Sequence, residues 1–221
     1  MKIMKKKAFI FDLDGTILDT LTSIGYTVNL CLKQWGKQEL PLENYKYYAG
    51  DGAYTLIERA CAEVGITDTK SIEEIHQLYK SYFKTTCMYK VAPFPKMVET
   101  LNSLKDKGNK IAVFTNKDHE NAIHLLNEIF GEHFFHEILG HCKEFEKKPC
   151  PDGAIYLANQ LDTPISDCIY VGDTDTDMKT GKGAGMYTVG VTWGFRDREE
   201  LEQFGADAII TCAEELLTFI E

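Results

Sequence analysis

The sequence predicts an α/β fold, in which a parallel sheet carries helices on both faces and an all-helical segment is inserted after the first strand. Short apolar runs alternate with helical patterns along most of the chain, as is typical of parallel strands joined by crossover helices. Residues 18–90, by contrast, show helical periodicity without a convincing buried strand. We therefore predict an α/β core of residues 1–17 and 91–221 and a helical cap of residues 18–90.

Five apolar runs are the predicted strands of the core sheet. Each is short and nearly continuous in apolar residues, which indicates a strand covered on both faces. The runs are Lys7–Leu13, Lys110–Phe114, Cys168–Val171, Met186–Val191 and Ala208–Ile210. In sheets of this kind the chemistry takes place at the carboxyl ends of the strands.

Helical periodicity predicts four helices in the core and three in the cap. The core helices are Met97–Lys107, His119–Phe130, Asp152–Gln160 and Arg198–Phe204, and the cap helices are Leu21–Trp35, Ala53–Val64 and Ser71–Thr85. Pro93 and Pro95 follow the cap and favour a hinge back into the core.

The chain is acidic, with a net charge of −10 from 34 acidic and 24 basic residues. This charge, without a basic stripe, argues against nucleic acid or an anionic membrane as the main partner. No segment is apolar for long enough to span a bilayer. A small phosphorylated substrate is compatible with the acidity, because a bound divalent cation and a few lysines can reverse the field inside one cleft.

Two features of the sequence predict a cytoplasmic protein. Lys2, Lys5, Lys6 and Lys7 precede an apolar stretch as in a signal peptide, but Asp12 interrupts that stretch, so we interpret it as the first buried strand. The seven cysteines are odd in number, scattered and without a CxxC pair. We therefore expect reduced thiols rather than a disulfide framework.

Four possible zinc ligands, His133, His136, His141 and Cys142, lie close together in the sequence. Their spacing fits no tight pattern of zinc ligands. We expect ordinary loop and strand-edge residues at these positions.

The strongest local signal is the segment Asp12-Leu13-Asp14-Gly15-Thr16, directly after the first predicted strand. Two carboxylates two residues apart point the same way on a continuing strand. Such a like-charge pair is costly unless a cation lies between the two groups or one of them is protonated. Taken alone, the segment is also compatible with a strand end followed by an ordinary Asp-Gly turn.

Three further predicted strand ends carry matching chemistry. Thr115 and Asn116 end the second core strand and offer a hydroxyl and an amide to phosphoryl oxygens. Before the predicted helix at Asp152, Lys147 and Lys148 both offer ammonium groups. Asp173 and Asp177 follow the next strand and could hold a hard cation through oxygen. As alternatives, Thr115 could cap a helix N-terminus, and the aspartates could be solvated first-turn residues favoured by the helix dipole. The four segments in succession favour a catalytic site.

The order DxDGT, strand-end threonine, Lys-Pro and GDxxxD resembles the four motifs of the haloacid dehalogenase superfamily, and the resemblance spans nearly the whole chain. It implies a Rossmann-like core with an inserted cap and a phosphatase that works through an aspartyl-phosphate. By this resemblance Asp12 is the nucleophile and Asp14 is the general acid/base. The presence of Asp14 favours phosphoryl transfer over dehalogenation. Thr115 and Lys148 would bind the phosphoryl group.

The same resemblance implies a Mg²⁺ site. Asp12, the backbone carbonyl of Asp14 and Asp173 would hold the ion. Asp177 is either a further ligand or a residue that orients the others. The physical argument agrees, because a cation between an anionic nucleophile and an anionic phosphate cancels their repulsion.

Within the cap, Gly50, Asp51 and Gly52 precede a predicted helix that contains Arg59. Glycines before a helix N-terminus allow an anion to approach backbone N–H groups, although a plain interhelical turn has the same composition. The segment GDGAYTLIERA resembles the cap loop of phosphoglycolate phosphatases, as do Thr115-Asn116-Lys117 and the segment of residues 191–194. These four cap residues are therefore candidates for substrate specificity, with Arg59 either meeting a substrate carboxylate or forming an ion pair.

We predict a phosphatase for a small phosphorylated metabolite, with 2-phosphoglycolate favoured, acting as a monomer or homodimer. Three alternatives stay open on the sequence. A phosphomutase similar to β-phosphoglucomutase would use the same catalytic residues, and pyrophosphatases or nucleotidases of the superfamily have similar cores. A regulatory protein that keeps the fold without turnover is the alternative from another class.

Overall fold

The computed structural model describes residues 6–220, so Lys2 and Lys5 of the predicted N-terminal segment lie outside the described residues. These residues form two compact units, which we call the core unit (residues 6–19 and 93–220) and the inserted unit (residues 20–92). Each junction lies two residues later in the chain than the predicted boundary. Among the residues described, no helix combines the length and apolar character needed to cross a bilayer.

Eight strands are present in residues 6–220. In chain order they are β1 (Ala8–Phe11), β2 (Leu18–Asp19), β3 (Ala92–Pro93), β4 (Lys110–Asp118), β5 (Glu137–His141), β6 (Cys168–Gly172), β7 (Tyr187–Val191) and β8 (Ala208–Ile210).

The same residues contain nine α-helices. In chain order they are α1 (Leu21–Gln34), α2 (Tyr45–Tyr48), α3 (Ala53–Glu63), α4 (Thr69–Thr86), α5 (Met97–Asp106), α6 (His119–Phe130), α7 (Asp152–Gln160), α8 (Asp175–Gly183) and α9 (Arg198–Gln203). Short 3₁₀ helices span Leu42–Asn44, Ile165–Asp167 and Ala213–Phe219.

The core unit is built on a six-stranded sheet in the order β5-β4-β1-β6-β7-β8, in which every described pairing is parallel. All four residues of β1 are buried, as expected for a strand inside the sheet, between β4 and β6. Ile10 pairs with Ala112 of β4 and Tyr170 of β6. The predicted α/β fold with a parallel sheet is therefore confirmed.

Helices of the core unit cover the sheet with apolar side chains. Ala154, Leu157 and Ala158 of α7 pack with Ile10 of β1 and Tyr170 of β6 in one buried cluster. Because β1 lies between two buried neighbours, the residues directly after it enter an environment with little water. Any charge placed there needs partners from the protein or a ligand.

The inserted unit has an apolar core of its own. Ile57 of α3 and Ile75 of α4 are fully buried, and they share a cluster with Val28 of α1 and Tyr45 of α2. The spacing of apolar residues on these helices is the amphipathic pattern that buries one face.

Besides the short strand β2 and the 3₁₀ helices, three features of the core differ from the elements predicted above. Strand β5 was not predicted, because it lies at the sheet edge and Glu137, Gly140 and His141 interrupt its apolar pattern. Helix α8 was missed because its sequence, DTDMKTGKG, is polar and contains two glycines. Strand β4 extends to Asp118, beyond the apolar run, with a register shift against β5 after Phe114.

The histidine-rich segment forms no group of three metal-ligating side chains within residues 6–220. His136 Nδ1 accepts a hydrogen bond from the backbone N–H of Ile111 at 3.1 Å, and His119 Nδ1 accepts one from Gly140 at the same distance. Both histidines therefore support the β4–β5 edge of the sheet.

Candidate active site

The candidate site lies where three adjacent strands end. Strands β4, β1 and β6 are neighbours and run in the same direction, so their carboxyl ends meet at one edge of the sheet. Asp12 follows β1 directly, Thr115 lies near the end of β4, and Asp173 follows β6. All three side chains are buried. Residues that are 161 positions apart in the chain thus converge because of strand order.

Asp12, Asp173 and Asp177 form an acidic cluster, in which each carboxylate offers one oxygen and all three oxygens lie within 4.8 Å of one another. Burial raises the pKa of Asp12 to about 7, and Lys148 only partly offsets this. Burial also raises the pKa of Asp173 well above its ordinary value, with further contributions from Asp12 and Asp177. The cluster is therefore costly as three bare anions, and cations stabilise it.

Lys148 is the first of these cations. Its Nζ lies 2.5 Å from Asp12 Oδ1 and 2.7 Å from Asp177 Oδ1, and the side chain is buried. Burial alone lowers the pKa of this ammonium, but Asp12 and Asp177 more than reverse the effect and hold the pKa well above its ordinary value. Lys147, its neighbour in the sequence, is only partly buried.

The Asp177 carboxylate accepts four hydrogen bonds from the protein. Oδ1 accepts from Lys148 Nζ and from the Tyr170 hydroxyl at 3.4 Å. Oδ2 accepts from the backbone N–H and the hydroxyl of Thr174, at 3.1 and 2.7 Å. This reciprocal pairing with Thr174 caps α8. A carboxylate has about four acceptor positions, so the protein itself fills those of Asp177.

Two donors hold the Asp173 carboxylate: the Thr16 hydroxyl at 3.0 Å and the backbone N–H of Phe195 at 2.7 Å. Gly15 makes this arrangement possible. A Cβ at that position would lie 2.2 Å from Asp173 Oδ2, and the φ of +90° is one that other residues rarely adopt. The glycine of the DxDGT segment therefore lets the loop after β1 close over the acidic cluster.

The three residues at the end of β4 serve different parts of the site. The Thr115 hydroxyl accepts from the backbone N–H of Lys117 at 3.2 Å, which leaves its own proton to be donated. The Asn116 side chain bonds the backbone of Lys148 twice, accepting from its N–H at 2.8 Å and donating to its carbonyl at 3.1 Å. Asn116 was predicted to bind phosphate, but these two bonds hold its amide group against the segment that carries Lys148.

Asp14 pairs with Lys117, a residue to which the sequence assigned no role of its own. Lys117 Nζ lies 2.9 Å from Asp14 Oδ2, and the side chains are 7% and 17% exposed. Asp14 Oδ1 is buried and has no hydrogen-bond partner among residues 6–220. The only signal in the sequence was that a lysine follows Thr115-Asn116 at a strand end.

The remaining predicted site residues belong to the inserted unit. Gly50 and Gly52 have φ values of +117° and +91°, and Gly52 precedes α3 as its N-cap. Arg59 Nη2 lies 2.6 Å from Asp51 Oδ2, and Nη1 donates to the backbone carbonyls of Tyr47 and Tyr48 at 3.3 and 3.1 Å. Asp51 is thus paired with a cation of the same unit, and Arg59, on α3, ties the loop to α2.

The donors of the core site fit a hard divalent cation. Asp12 and Asp173 offer carboxylate oxygens, the ligands that Mg²⁺ prefers. Lys117 pairs with Asp14, and Lys148 pairs with Asp12 and Asp177, whereas Asp173 is held by the neutral donors described above. Counted as ionised, the four carboxylates exceed the two ammonium groups by two negative charges, an excess that one divalent ion would balance.

Comparison with known proteins agrees with this geometry. The family model described as haloacid dehalogenase-like hydrolase matches residues 9–191. Phosphoglycolate phosphatase of Colwellia psychrerythraea is 28% identical over 221 residues, which cover 98% of both chains. That of Aquifex aeolicus is 31% identical over 189 residues, or 86% of both chains.

A solved structure from Lactobacillus delbrueckii subsp. bulgaricus superimposes on this chain with a TM-score of 0.91. That protein is itself only predicted to be a phosphoglycolate phosphatase. It is 30% identical, and the match covers 98% of this chain and 99% of that one. The chain belongs to the haloacid dehalogenase-like hydrolase family. The predicted family and the prediction of a hydrolase are confirmed.

Proposed function

We propose that the protein is a Mg²⁺-dependent phosphatase that hydrolyses small phosphate monoesters through an aspartyl-phosphate on Asp12. One observation carries the proposal: a buried carboxylate at the end of the central strand, with Lys148 Nζ 2.5 Å from its Oδ1 and Asp173 beside it. A carboxylate held next to positive charge can approach an anionic phosphate, which would otherwise repel it.

In the first half-reaction an Asp12 oxygen forms a bond to phosphorus while the bond from phosphorus to the ester oxygen breaks. Asp14 donates a proton to the departing oxygen, so the alcohol leaves neutral. Lys148 and the Thr115 hydroxyl stabilise the charge on the phosphoryl oxygens, a contribution that such donors make at preorganised sites.

In the second half-reaction water attacks the phosphorus of the aspartyl-phosphate. Asp14 takes a proton from that water, the bond between phosphorus and the Asp12 oxygen breaks, and inorganic phosphate leaves. Asp12 is then a free carboxylate again and Asp14 is protonated again, so the two steps complete a catalytic cycle without any redox change.

Asp12, the backbone carbonyl of Asp14 and Asp173 would hold the ion, which supplies positive charge between two anions. We assign Asp177 to orienting Lys148 rather than to the metal, because its four acceptor positions are filled from within the protein. Asn116 is assigned a similar supporting role through the backbone of Lys148.

Among small phosphate monoesters we favour 2-phosphoglycolate as the substrate. The support is the name carried by the relatives described above, at 28–31% identity. The same core chemistry would serve other phosphate esters, so the substrate has to be measured.

The experiment is phosphate release by the purified chain from 2-phosphoglycolate, sugar phosphates, nucleotides and pyrophosphate, with Mg²⁺ and with a chelator. We expect release that requires the metal and is abolished in Asp12→Asn. The matched control is Asp175→Asn, since Asp175 lies in the same aspartate-rich segment but pairs with Lys179 on the surface. The proposal is overturned if no compound releases phosphate, or if Asp12→Asn releases phosphate as fast as the unmodified protein. Conversion of a sugar phosphate into its isomer without release of inorganic phosphate would indicate a phosphomutase.

A further inference from the structure

Lys117 and Asp14 form an ion pair that the proposed chemistry does not yet explain. Lys117 Nζ lies 2.9 Å from Asp14 Oδ2, and the lysine side chain is 7% exposed. Removing an ammonium and a carboxylate from water costs about as much as their attraction returns, so a buried ion pair is weak evidence for stability. A contribution to stability therefore does not account for this ion pair, and a role in the reaction is the alternative.

The local backbone aims Lys117 at this carboxylate. The backbone N–H of Lys117 donates to the Thr115 hydroxyl, and the register of β4 against β5 shifts between Phe114 and Asp118. A register shift at a strand end redirects side chains, and such irregularities are common beside active sites. The long lysine side chain is thus directed from the end of β4 to the loop that follows β1.

The two oxygens of Asp14 have different surroundings. Oδ2 accepts from Lys117, whereas Oδ1 is buried without a hydrogen-bond partner in the described part of the chain. A carboxylate anchored through one oxygen cannot rotate without breaking that bond. The ion pair therefore decides which of the two oxygens stays available for proton transfer.

We propose that Lys117 is a positioning residue, which anchors Asp14 through Oδ2 so that Oδ1 exchanges protons with the leaving oxygen and with water. The inference rests on the proposed function and deepens it. Lys117 acts through Asp14 and does not bind the substrate. Substitution of Lys117 should therefore lower the rate only for substrates whose leaving group needs the proton of Asp14.

The test compares two substrates that differ in this need. An alkyl phosphate releases an alkoxide that must be protonated, whereas p-nitrophenyl phosphate releases a stable phenolate without a proton. The parameter is kcat/KM, since it reports the steps up to departure of the leaving group. We expect Lys117→Met to lower kcat/KM by at least about 10-fold for the alkyl ester, part of the 10²–10⁴-fold that general acid catalysis supplies. For p-nitrophenyl phosphate we expect a change below about 3-fold.

Two further variants connect the effect to Asp14. Asp14→Asn should show the same dependence on the leaving group, and adding Lys117→Met to it should cause no further loss for the alkyl ester. Lys117→Arg, which keeps a cationic donor, should recover most of the activity. Lys179→Met, which removes an exposed ion pair with Asp175, is the matched control.

The possible results distinguish a failure of the role proposed for Lys117 from a failure of the proposed phosphatase function. Equal losses on both substrates, additive losses in the double variant, or a change in KM alone would show that Lys117 binds substrate or supports the fold, and would overturn the inference. Should Lys117→Met not fold, the Lys117→Gln variant decides by the same comparison. If the unmodified protein hydrolyses neither ester, the proposed function has failed; if it hydrolyses both and Lys117→Met is unaffected, only the role of Lys117 has failed.

Discussion

Lys148 Nζ lies 2.5 Å from Asp12 Oδ1, although 136 residues separate the two in the chain. Asp12 directly follows the central strand β1, and Lys148 comes from a segment whose backbone is bound by the side chain of Asn116. The contact joins the proposed nucleophile to a cation that can also meet the substrate.

The first prediction concerns Lys148 itself. Lys148→Met leaves Asp12 and Asp177 without their buried counter-ion, and we expect a loss of phosphatase activity of about 10²–10³-fold, the usual cost of removing such a donor. In the presence of chelator the free energy of unfolding should fall by about 3–5 kcal/mol, because breaking a buried ion pair strands a charge. Steady-state kinetics and urea denaturation measure both. Lys147→Met is the control, and an equal effect there would contradict the assignment.

The second prediction separates Asp173 from Asp177. Asp173→Asn should raise the Mg²⁺ concentration needed for half-maximal activity more than about 10-fold, as expected when a ligand is lost. Asp177→Asn should lower kcat by at least about 10-fold while leaving that Mg²⁺ concentration within about 3-fold, because it disturbs Lys148. Activity measured against Mg²⁺ concentration decides, and a large shift in Asp177→Asn would make Asp177 a ligand.

The third prediction concerns the closeness of Gly15 to Asp173. A Cβ at Gly15 would lie 2.2 Å from Asp173 Oδ2. Gly36 is a matched control, since it also has a positive φ, +66°, but no atom lies within 4 Å of the position of its Cβ. We expect Gly15→Ala to lower the free energy of unfolding by about 1–3 kcal/mol more than Gly36→Ala, the usual cost of overpacking. Equal losses in urea denaturation would exclude the clash.

The fourth prediction is a pH dependence of the metal-free protein. Burial raises the pKa of Asp12 from 3.8 to about 7, so between these values the folded state holds a proton that the unfolded state has lost. The free energy of unfolding contributed by Asp12 therefore falls as the pH rises from about 4 to about 7. Urea denaturation with chelator, at pH 5 and pH 7, should show a steeper loss for the unmodified protein than for Asp12→Asn. A loss equally steep in both would contradict the shift.

Much of the site could be predicted because its residues mark strand ends. Asp12, Thr115 and Asp173 each follow or end a run of buried residues, and the rule that parallel strands carry chemistry at their carboxyl ends then groups them. The same apolar runs predicted five of the six strands of the central sheet. Strand β5 did not, because an edge strand with one covered face lacks a continuous apolar run.

The partners of these residues could not be predicted in the same way. The Asn116 amide meets backbone atoms of Lys148, and backbone groups have no signature in a sequence. Lys117 meets Asp14 across 103 positions through a long side chain whose direction depends on the register shift in β4. Likewise, the ion pair of Arg59 with Asp51 was one of two alternatives that composition left equal.

The strand order has a consequence for how the protein is made. Asp12 is synthesised before Lys148, Asp173 and the Phe195 amide that holds Asp173. Until Phe195 has left the ribosome, the carboxylates of Asp12 and Asp173 lack the partners described above and remain hydrated. A nascent chain that is stopped short of Phe195 is therefore expected to be without hydrolase activity, because Asp173 still lacks its backbone donor.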